Sequence, residues 1–192
     1  MSADVEQKPG SAPRDLSMEE IEELRMISAF NAADLRRMWM KFQEFNGDEN
    51  QGLSSDDFLN IPAVALNPLK GQLLKCFEFD DAGYIPFKRF CAGMSVFSHH
   101  GDKKLKLQAA FKIHDINGDG KICKDDLLHY MRLVSDFGDL DKAGVDERLG
   151  AVVQHTLEEA SSAQNLDSLS YDDFVKVIAP TDFATRLVIS II

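Results

Sequence analysis

The sequence has few cysteines, and they can form neither a disulfide framework nor a zinc site. Only three occur in 192 residues, namely Cys76, Cys91 and Cys123, and they lie far apart. Disulfide-stabilised secreted domains carry an even number of cysteines in a short chain, and zinc sites need closely spaced pairs of ligands. We therefore expect a reducing compartment and predict a cytoplasmic location.

Long hydrophobic runs and lipid-attachment signals are also missing. No stretch resembles a signal peptide or a membrane-spanning helix, since the apolar residues 187–192 are few and are interrupted by Ser190. N-myristoylation requires a glycine after the initiator methionine, whereas this chain has Ser2. We expect neither membrane insertion nor N-myristoylation.

Positive charge is scarce, and catalytic motifs are absent. The 32 acidic residues outnumber the 21 basic ones, which makes the net charge −11. Such a chain repels nucleic acid and anionic membranes, and it attracts cations or basic segments. The 5 histidines have no partnered nucleophile, and the H-E-x-x-H, G-x-S-x-G and P-loop patterns do not occur. We predict a protein that is not an enzyme and binds no nucleic acid.

The chain does contain a twelve-residue metal-binding pattern, D-I-N-G-D-G-K-I-C-K-D-D, at residues 115–126. In an EF-hand loop, positions 1, 3, 5 and 12 supply side-chain oxygens, position 7 supplies a carbonyl, and position 9 often acts through water. Gly120 falls at position 6, where the sharp turn favours positive φ. A solvated Asn-Gly and Asp-Gly turn is the alternative, but apolar stripes at helical spacing flank the loop. The predicted metal ligands are Asp115, Asn117, Asp119, Lys121 and Asp126, with Cys123 at position 9.

The closing residue of this loop is compatible with two metal ions, magnesium and calcium. A glutamate at position 12 grips calcium with both oxygens, whereas Asp126 is one methylene shorter and suits a single oxygen. Magnesium demands near-octahedral coordination at short distances. The sequence therefore predicts one site that holds either magnesium, or calcium more weakly than a glutamate-closed loop does.

Three weaker copies of the loop lie at residues 46–57, 78–89 and 162–173. The first has Gln51 in place of the turn glycine, and we predict that it is empty, with weak binding as the alternative. The second has Arg89 at position 12, where a fixed cation repels a metal ion. The last copy has uncharged residues at its first ligand positions, namely Ser162, Gln164 and Leu166. We therefore predict that neither the loop at 78–89 nor the loop at 162–173 binds metal.

The four copies predict an all-α fold, in which four EF-hand helix-loop-helix units form two paired lobes. Short antiparallel strands are expected between paired loops, joining Leu53 to Ile85 and Ile122 to Leu169. Asn31 is expected to cap the first incoming helix. The predicted boundaries are a disordered arm at residues 1–17, an N-terminal pair at 18–98, and a C-terminal pair with an apolar tail at 99–192. An ordinary helical bundle is the alternative.

Three stretches of the chain carry a resemblance to a known family. They are L-S-S-D-D-F at residues 53–58 with the following I-P and N-P-L, the helix at 127–134, and Y-D-D-F-V-K-V at 171–177. On the basis of these stretches, the chain from about Phe30 onward resembles the calcineurin B family. This family includes the regulatory subunit of calcineurin and the calcineurin B homologous proteins.

The resemblance implies a regulatory adaptor whose two lobes form an apolar groove for an amphipathic helix of a larger protein. In calcineurin that partner is a phosphatase catalytic subunit, and in the homologous proteins it is a membrane ion exchanger. By position, Tyr130, Leu133 and Val134 are expected at the groove or its rim, with the core of the lobe as the alternative. Two functions remain open, a metal-dependent regulator and a metal-independent structural adaptor of a transporter or cytoskeletal assembly.

Overall fold

The computed structural model describes residues 15–46, 52–135, 142–161 and 167–187. In these ranges the chain forms eleven helices and one two-stranded sheet. The helices are α1 (Met18–Ile27), α2 (Ala32–Phe45), α3 (Ser55–Asn60), α4 (Pro62–Ala65), α5 (Lys70–Leu74), α6 (Phe87–Val96), α7 (Lys103–His114), α8 (Lys124–Val134), α9 (Lys142–Ala160), α10 (Tyr171–Ile178) and α11 (Phe183–Arg186). The strands are β1 (Ile122–Cys123) and β2 (Ser168–Leu169).

Short polar residues determine where the helices begin. The Asn31 side chain accepts a hydrogen bond from the Asp34 amide at 2.9 Å, which confirms that Asn31 caps α2. Ser17 and Glu20 form a reciprocal capping box at the start of α1. Each cap satisfies an amide that has no partner within the helix, so the sequence itself marks these starts.

The first core cluster is formed mainly by aromatic and branched residues of α1 to α6. Its aromatic rings pack in tilted and stacked pairs, with the Phe90 ring centroid 5.3 Å from that of Phe42 and 6.1 Å from that of Phe77. The buried members are Leu16, Ile21, Leu24, Leu35, Met38, Phe42, Leu53, Phe58, Ile61, Val64, Leu73, Phe77, Ile85, Phe90, Cys91, Met94, Phe97, Ala109 and Ile113.

The second core cluster is smaller and belongs to the C-terminal half of the chain. Its buried members are Leu107, Ala110, Phe111, Ile122, Val153, Leu157, Leu169 and Phe174. Helix α7 contributes to both clusters, because Ala109 and Ile113 face the first while Ala110 and Phe111 face the second. The two halves therefore share one helix as a common wall.

The paired loops confirm the predicted strand contacts. Leu53 bridges Ile85 in antiparallel fashion, and β1 pairs with β2 in the register Ile122 to Leu169. All four side chains are buried, which explains why the apolar residue recurs at position 8. The mostly helical architecture with this small sheet confirms the predicted all-α EF-hand fold.

Several sequence predictions fall on residues outside the described ranges. These are most of the N-terminal arm, the first-loop position Gln51, the fourth-loop positions Ser162, Gln164 and Leu166, and residues 188–192. Of the residues assigned to that arm, Leu16 is buried in the first core cluster and Ser17 caps α1. Of the helices in the described ranges, none is both long and apolar enough to cross a membrane.

Candidate metal centre and apolar groove

The third loop leaves α7 after His114 and returns to a helix at Lys124. Two glycines within it adopt positive φ, 75° at Gly118 and 84° at Gly120. Only glycine takes this backbone conformation without a steric cost from Cβ. The turn predicted at position 6 is thereby confirmed.

Asp115 organises the first half of this loop. Its carboxylate is buried and accepts three backbone hydrogen bonds, from the amides of Gly118 at 2.8 Å, Asp119 at 3.2 Å and Gly120 at 2.9 Å. Asn117 and Asp119 continue the same curl, since Asn117 Oδ1 accepts from the Asp119 amide and Asp119 Oδ1 from the Lys121 amide. Side-chain oxygens at positions 1, 3 and 5 of such a loop are the ligands from which an EF-hand metal site is built.

Asp126 closes the loop through hydrogen bonds to the backbone. Its Oδ2 accepts from the Cys123 amide at 2.9 Å, and its Oδ1 accepts from the amides of Ile116 at 3.1 Å and Asn117 at 3.3 Å. The side chain is 3% exposed and joins the start of the loop to the first turn of α8. Both carboxylate oxygens thus have protein partners.

The closing aspartates of the first and fourth loops make a similar short link. Asp57 Oδ2 accepts from the Ser54 amide at 3.0 Å, and Asp173 Oδ2 accepts from the Ser170 amide at 3.4 Å. In each case position 12 is the third residue of the outgoing helix and position 9 is its N-cap. The Ser170 hydroxyl, foremost among several groups, lowers the pKa of Asp173. Aspartate at position 12 therefore acts as a helix-capping residue here, because its side chain is short enough to fold back onto its own helix.

The donor set of the third loop fits a hard cation. The set consists of oxygen ligands, which suit calcium or magnesium. They come from Asp115, Asn117, Asp119, the Lys121 carbonyl and Asp126. Within the described ranges, no three histidine, cysteine, aspartate or glutamate side chains already lie grouped as a metal site. Asp126 would have to share or exchange its backbone partners to bind an ion, so the five ligands remain a prediction.

The second loop is closed by the protein's own groups. The Arg89 guanidinium at position 12 donates to the Phe79 carbonyl at position 2. Asp80 Oδ1 accepts from the amides of Ala82 at 3.0 Å and Tyr84 at 2.9 Å. A positive charge therefore bridges the loop at the position that would otherwise close around a metal ion.

An apolar cavity of about 260 Å³ lies where the two core clusters meet. Its walls come from both halves of the chain, and we call it the groove. The lining residues are Asn67, Leu69, Leu73, Ala110, Ile113, His114, Tyr130, Phe174, Ile178, Phe183 and Leu187.

Of the three predicted groove residues, only Tyr130 lines this cavity. Its ring stacks on His114 with the centroids 4.1 Å apart. His114 Nδ1 lies 2.7 Å from the Ala110 carbonyl, and burial lowers the pKa of the imidazole. Leu133 is half-buried and Val134 is 43% exposed, and neither contributes to the cavity wall.

Comparison with known proteins identifies the family to which this chain belongs. A family model described as an EF-hand domain pair matches residues 104–179. The calcineurin B subunit of Naegleria gruberi is 31% identical over 180 residues, which is 94% of this chain and 98% of the relative. The chain belongs to the calcineurin B family.

Two further relatives agree with this placement. The type 2 calcineurin B subunit of Dictyostelium discoideum is 29% identical over 182 residues, which is 95% of this chain and 96% of the relative. The calcineurin B subunit of Candida glabrata is 30% identical over 178 residues, covering 93% and 96% respectively. The resemblance to the calcineurin B family inferred from three short stretches thus extends over nearly the whole chain.

The sequence did not predict the contacts of two lysines in this calcineurin B-family chain. Lys75 donates to the Ile116 carbonyl at 2.6 Å, so a residue just after α5 contacts the third loop. Lys106 is 2% exposed and donates to the Ala184 carbonyl at 2.7 Å. Helical spacing offered a signal for Lys106, because it lies four residues before Ala110 and seven before Ile113 on the buried face of α7. Nothing in the local sequence marks Lys75.

Replacing Asp126 with glutamate is expected to raise the calcium affinity of the third loop about ten-fold or more. The longer side chain reaches from α8 into the loop with both oxygens, while magnesium gains nothing from a bidentate ligand. Isothermal titration of chelator-treated protein with each ion measures this. Asp173→Glu is the matched control, because Asp173 makes the same capping contact in a loop whose first ligand positions are uncharged. Equal calcium affinities for Asp126→Glu and wild type would contradict the assigned role of position 12.

Proposed function

We propose that this chain is a calcium-binding regulatory subunit that binds an amphipathic helix of a phosphatase catalytic subunit in the groove. The observation that supports this most is the composition of the groove wall, which takes Leu69 and Leu73 from the N-terminal half and Phe174 and Ile178 from the C-terminal half. An amphipathic helix buries its apolar stripe best in an elongated apolar surface shared by two lobes. The relatives' name, which identifies them as B subunits of calcineurin, supports a phosphatase as the partner.

The third loop would hold one ion, calcium or magnesium, on Asp115, Asn117, Asp119, the Lys121 carbonyl and Asp126. The bound ion would supply positive charge that draws these oxygens together and stiffens the loop between α7 and α8. Since α7 provides groove residues and α8 provides Tyr130, metal binding would brace the groove wall. An ion bound at a single site can shift the groove between two conformations only as far as its affinities for those conformations differ. One site therefore favours bracing of the groove wall over switching.

Affinity purification followed by mass spectrometry tests this function with a matched pair of variants. Ile178 lines the groove, whereas its neighbour Val177 is 42% exposed and does not. We expect the wild type and Val177→Glu to recover a metallophosphatase catalytic chain, and Ile178→Glu to lose it. Circular dichroism checks that both variants fold. Equal recovery of the phosphatase by both variants would contradict groove binding.

A metal-independent structural adaptor, serving a transporter or cytoskeletal assembly, is the second candidate. It is favoured by the hydrogen bonds that close the third loop through Asp126 and the second loop through Arg89. The same purification in calcium and in chelator separates the two functions. Recovery that is unchanged by chelator, with a partner that is not a phosphatase, would support the adaptor.

A further inference from the structure

One wall of the groove is built by the C-terminal part of this chain. Residues 179–187 follow α10, pass through the short helix α11, and place Phe183 and Leu187 in the cavity wall. Leu187 packs against both core clusters. Any helix that fills the groove must therefore share it with this segment or displace it.

Two lysines of α7 hold the segment by its backbone. Lys103 Nζ donates to the Ala179 carbonyl at 2.9 Å, and Lys106 Nζ donates to the Ala184 carbonyl at 2.7 Å. Lys103 Nζ also lies 5.9 Å from the centroid of the Phe183 ring. These contacts join residues more than seventy positions apart and clamp both ends of the turn that leads into α11.

The segment is otherwise weakly anchored. Among the described side chains from Val175 to Leu187, none reaches the burial of the two core clusters. Helix α11 has only four residues, and Asp182 provides no side-chain cap for it. Segments with few buried apolar contacts open at the lowest free-energy cost, so this part of the chain is well suited to leave the groove.

Lys106 makes the release of this segment selective. Its side chain is 2% exposed, burial lowers the pKa of its ammonium group, and no ion pair within the described ranges gives it a carboxylate. A buried ammonium that loses its acceptor is strongly destabilised. Four lysines and no acidic residue lie on α7, within a chain that is acidic as a whole.

We propose that residues 179–187 are a displaceable occupant of the groove, and that the helix which replaces them presents a carboxylate to Lys106. The inference rests on the proposed function, since it names the chemistry of the helix that the groove binds. A partner helix with an acidic residue beside its apolar stripe satisfies Lys106 as Ala184 does now. A helix that offers no acceptor there leaves the ammonium buried and unpaired, and one that offers only a neutral amide oxygen leaves its positive charge without a counterion.

Synthetic helices provide the probe. A fluorescent 18-residue amphipathic peptide is prepared as a set in which one position flanking the apolar stripe carries Glu or Gln, and each pair is titrated by anisotropy against the full chain. We expect at least one Glu peptide to bind about ten-fold more tightly than its Gln counterpart, since a hydrogen bond to a charged group contributes about that much. Lys106→Met should abolish this preference. Lys104→Met is the control and should keep it, because Lys104 is exposed on the same helix.

Displacement is tested with Phe183→Ser, which weakens the resident segment. We expect this variant to bind both peptides of a pair about ten-fold more tightly than the wild type does. Leu187→Ser is a second variant with the same expected direction, and thermal unfolding by circular dichroism checks both.

Each result has a distinct meaning. Unchanged or weaker binding to the Phe183→Ser and Leu187→Ser variants would overturn displacement, because the segment would then be a fixed wall. A Glu preference that survives Lys106→Met would overturn the role of Lys106. Peptides that bind neither the wild type nor the variants would overturn the groove function itself, whereas equal binding to all of them would overturn only the further inference.

Discussion

Replacing Asp115 with alanine is expected to lower the calcium affinity of the third loop by at least about 100-fold, which corresponds to about 2.8 kcal/mol. The change removes the carboxylate at position 1. It also removes the acceptor shared by the amides of Gly118, Asp119 and Gly120. Hydrogen bonds to a charged group each contribute about 1.5–3 kcal/mol, so the loop loses both a ligand and its curled shape.

Isothermal titration with calcium measures this loss, and Asp125→Ala is its control. Asp125 lies beside the closing aspartate at position 11, is exposed, and is not a ligand position. The control should titrate like the wild type. If Asp115→Ala bound calcium as tightly as the control, the ion would have to be bound elsewhere, and the third loop would not be the metal site.

Replacing Phe90 with alanine is expected to lower the free energy of unfolding by about 3–5 kcal/mol, the usual cost of truncating a buried phenylalanine. Phe90 is 1% exposed in the first core cluster. Its ring contacts those of Phe42 and Phe77 at centroid distances of 5.3 and 6.1 Å. Removing it leaves a cavity bounded by rigid rings, and close-packed aromatic side chains can collapse only in part to fill such a space.

Urea unfolding followed by circular dichroism measures this change. Leu66→Ala is the control, because Leu66 is 88% exposed and its truncation should shift the free energy by less than about 0.5 kcal/mol. A loss below about 1 kcal/mol in Phe90→Ala would mean that the aromatic cluster is loosely packed and can close over the gap.

Features that depend on spacing along the chain could be read from the sequence. Asn31 and Asp34 are three residues apart, which is the distance of a helix cap, and the hydrogen bond is present. Leu53, Ile85, Ile122 and Leu169 occupy the same position in their loops, and they pair as predicted. The turn at Gly120 likewise follows from its place in the twelve-residue pattern.

The hydrogen bonds of Asp126 were harder to foresee. The Asp126 side chain is shorter than that of glutamate, which indicated weaker calcium binding. It did not indicate that both carboxylate oxygens would accept hydrogen bonds from backbone amides. One of those amides belongs to the N-cap of the outgoing helix and two belong to the start of the loop. Their positions depend on how the loop curls, which is a property of the folded backbone and not of residue type.

The sequence by itself determined the all-α repeat, the order of the four loops, the oxygen-rich third loop and the family. These follow from periodicity and local hydrogen bonding, which act over a few residues. Only the tertiary structure decided that α7 is shared by both core clusters, that Lys75 contacts the third loop, and that Lys106 contacts α11. These contacts join residues 41 and 78 positions apart, and helix packing rather than sequence spacing brings them together.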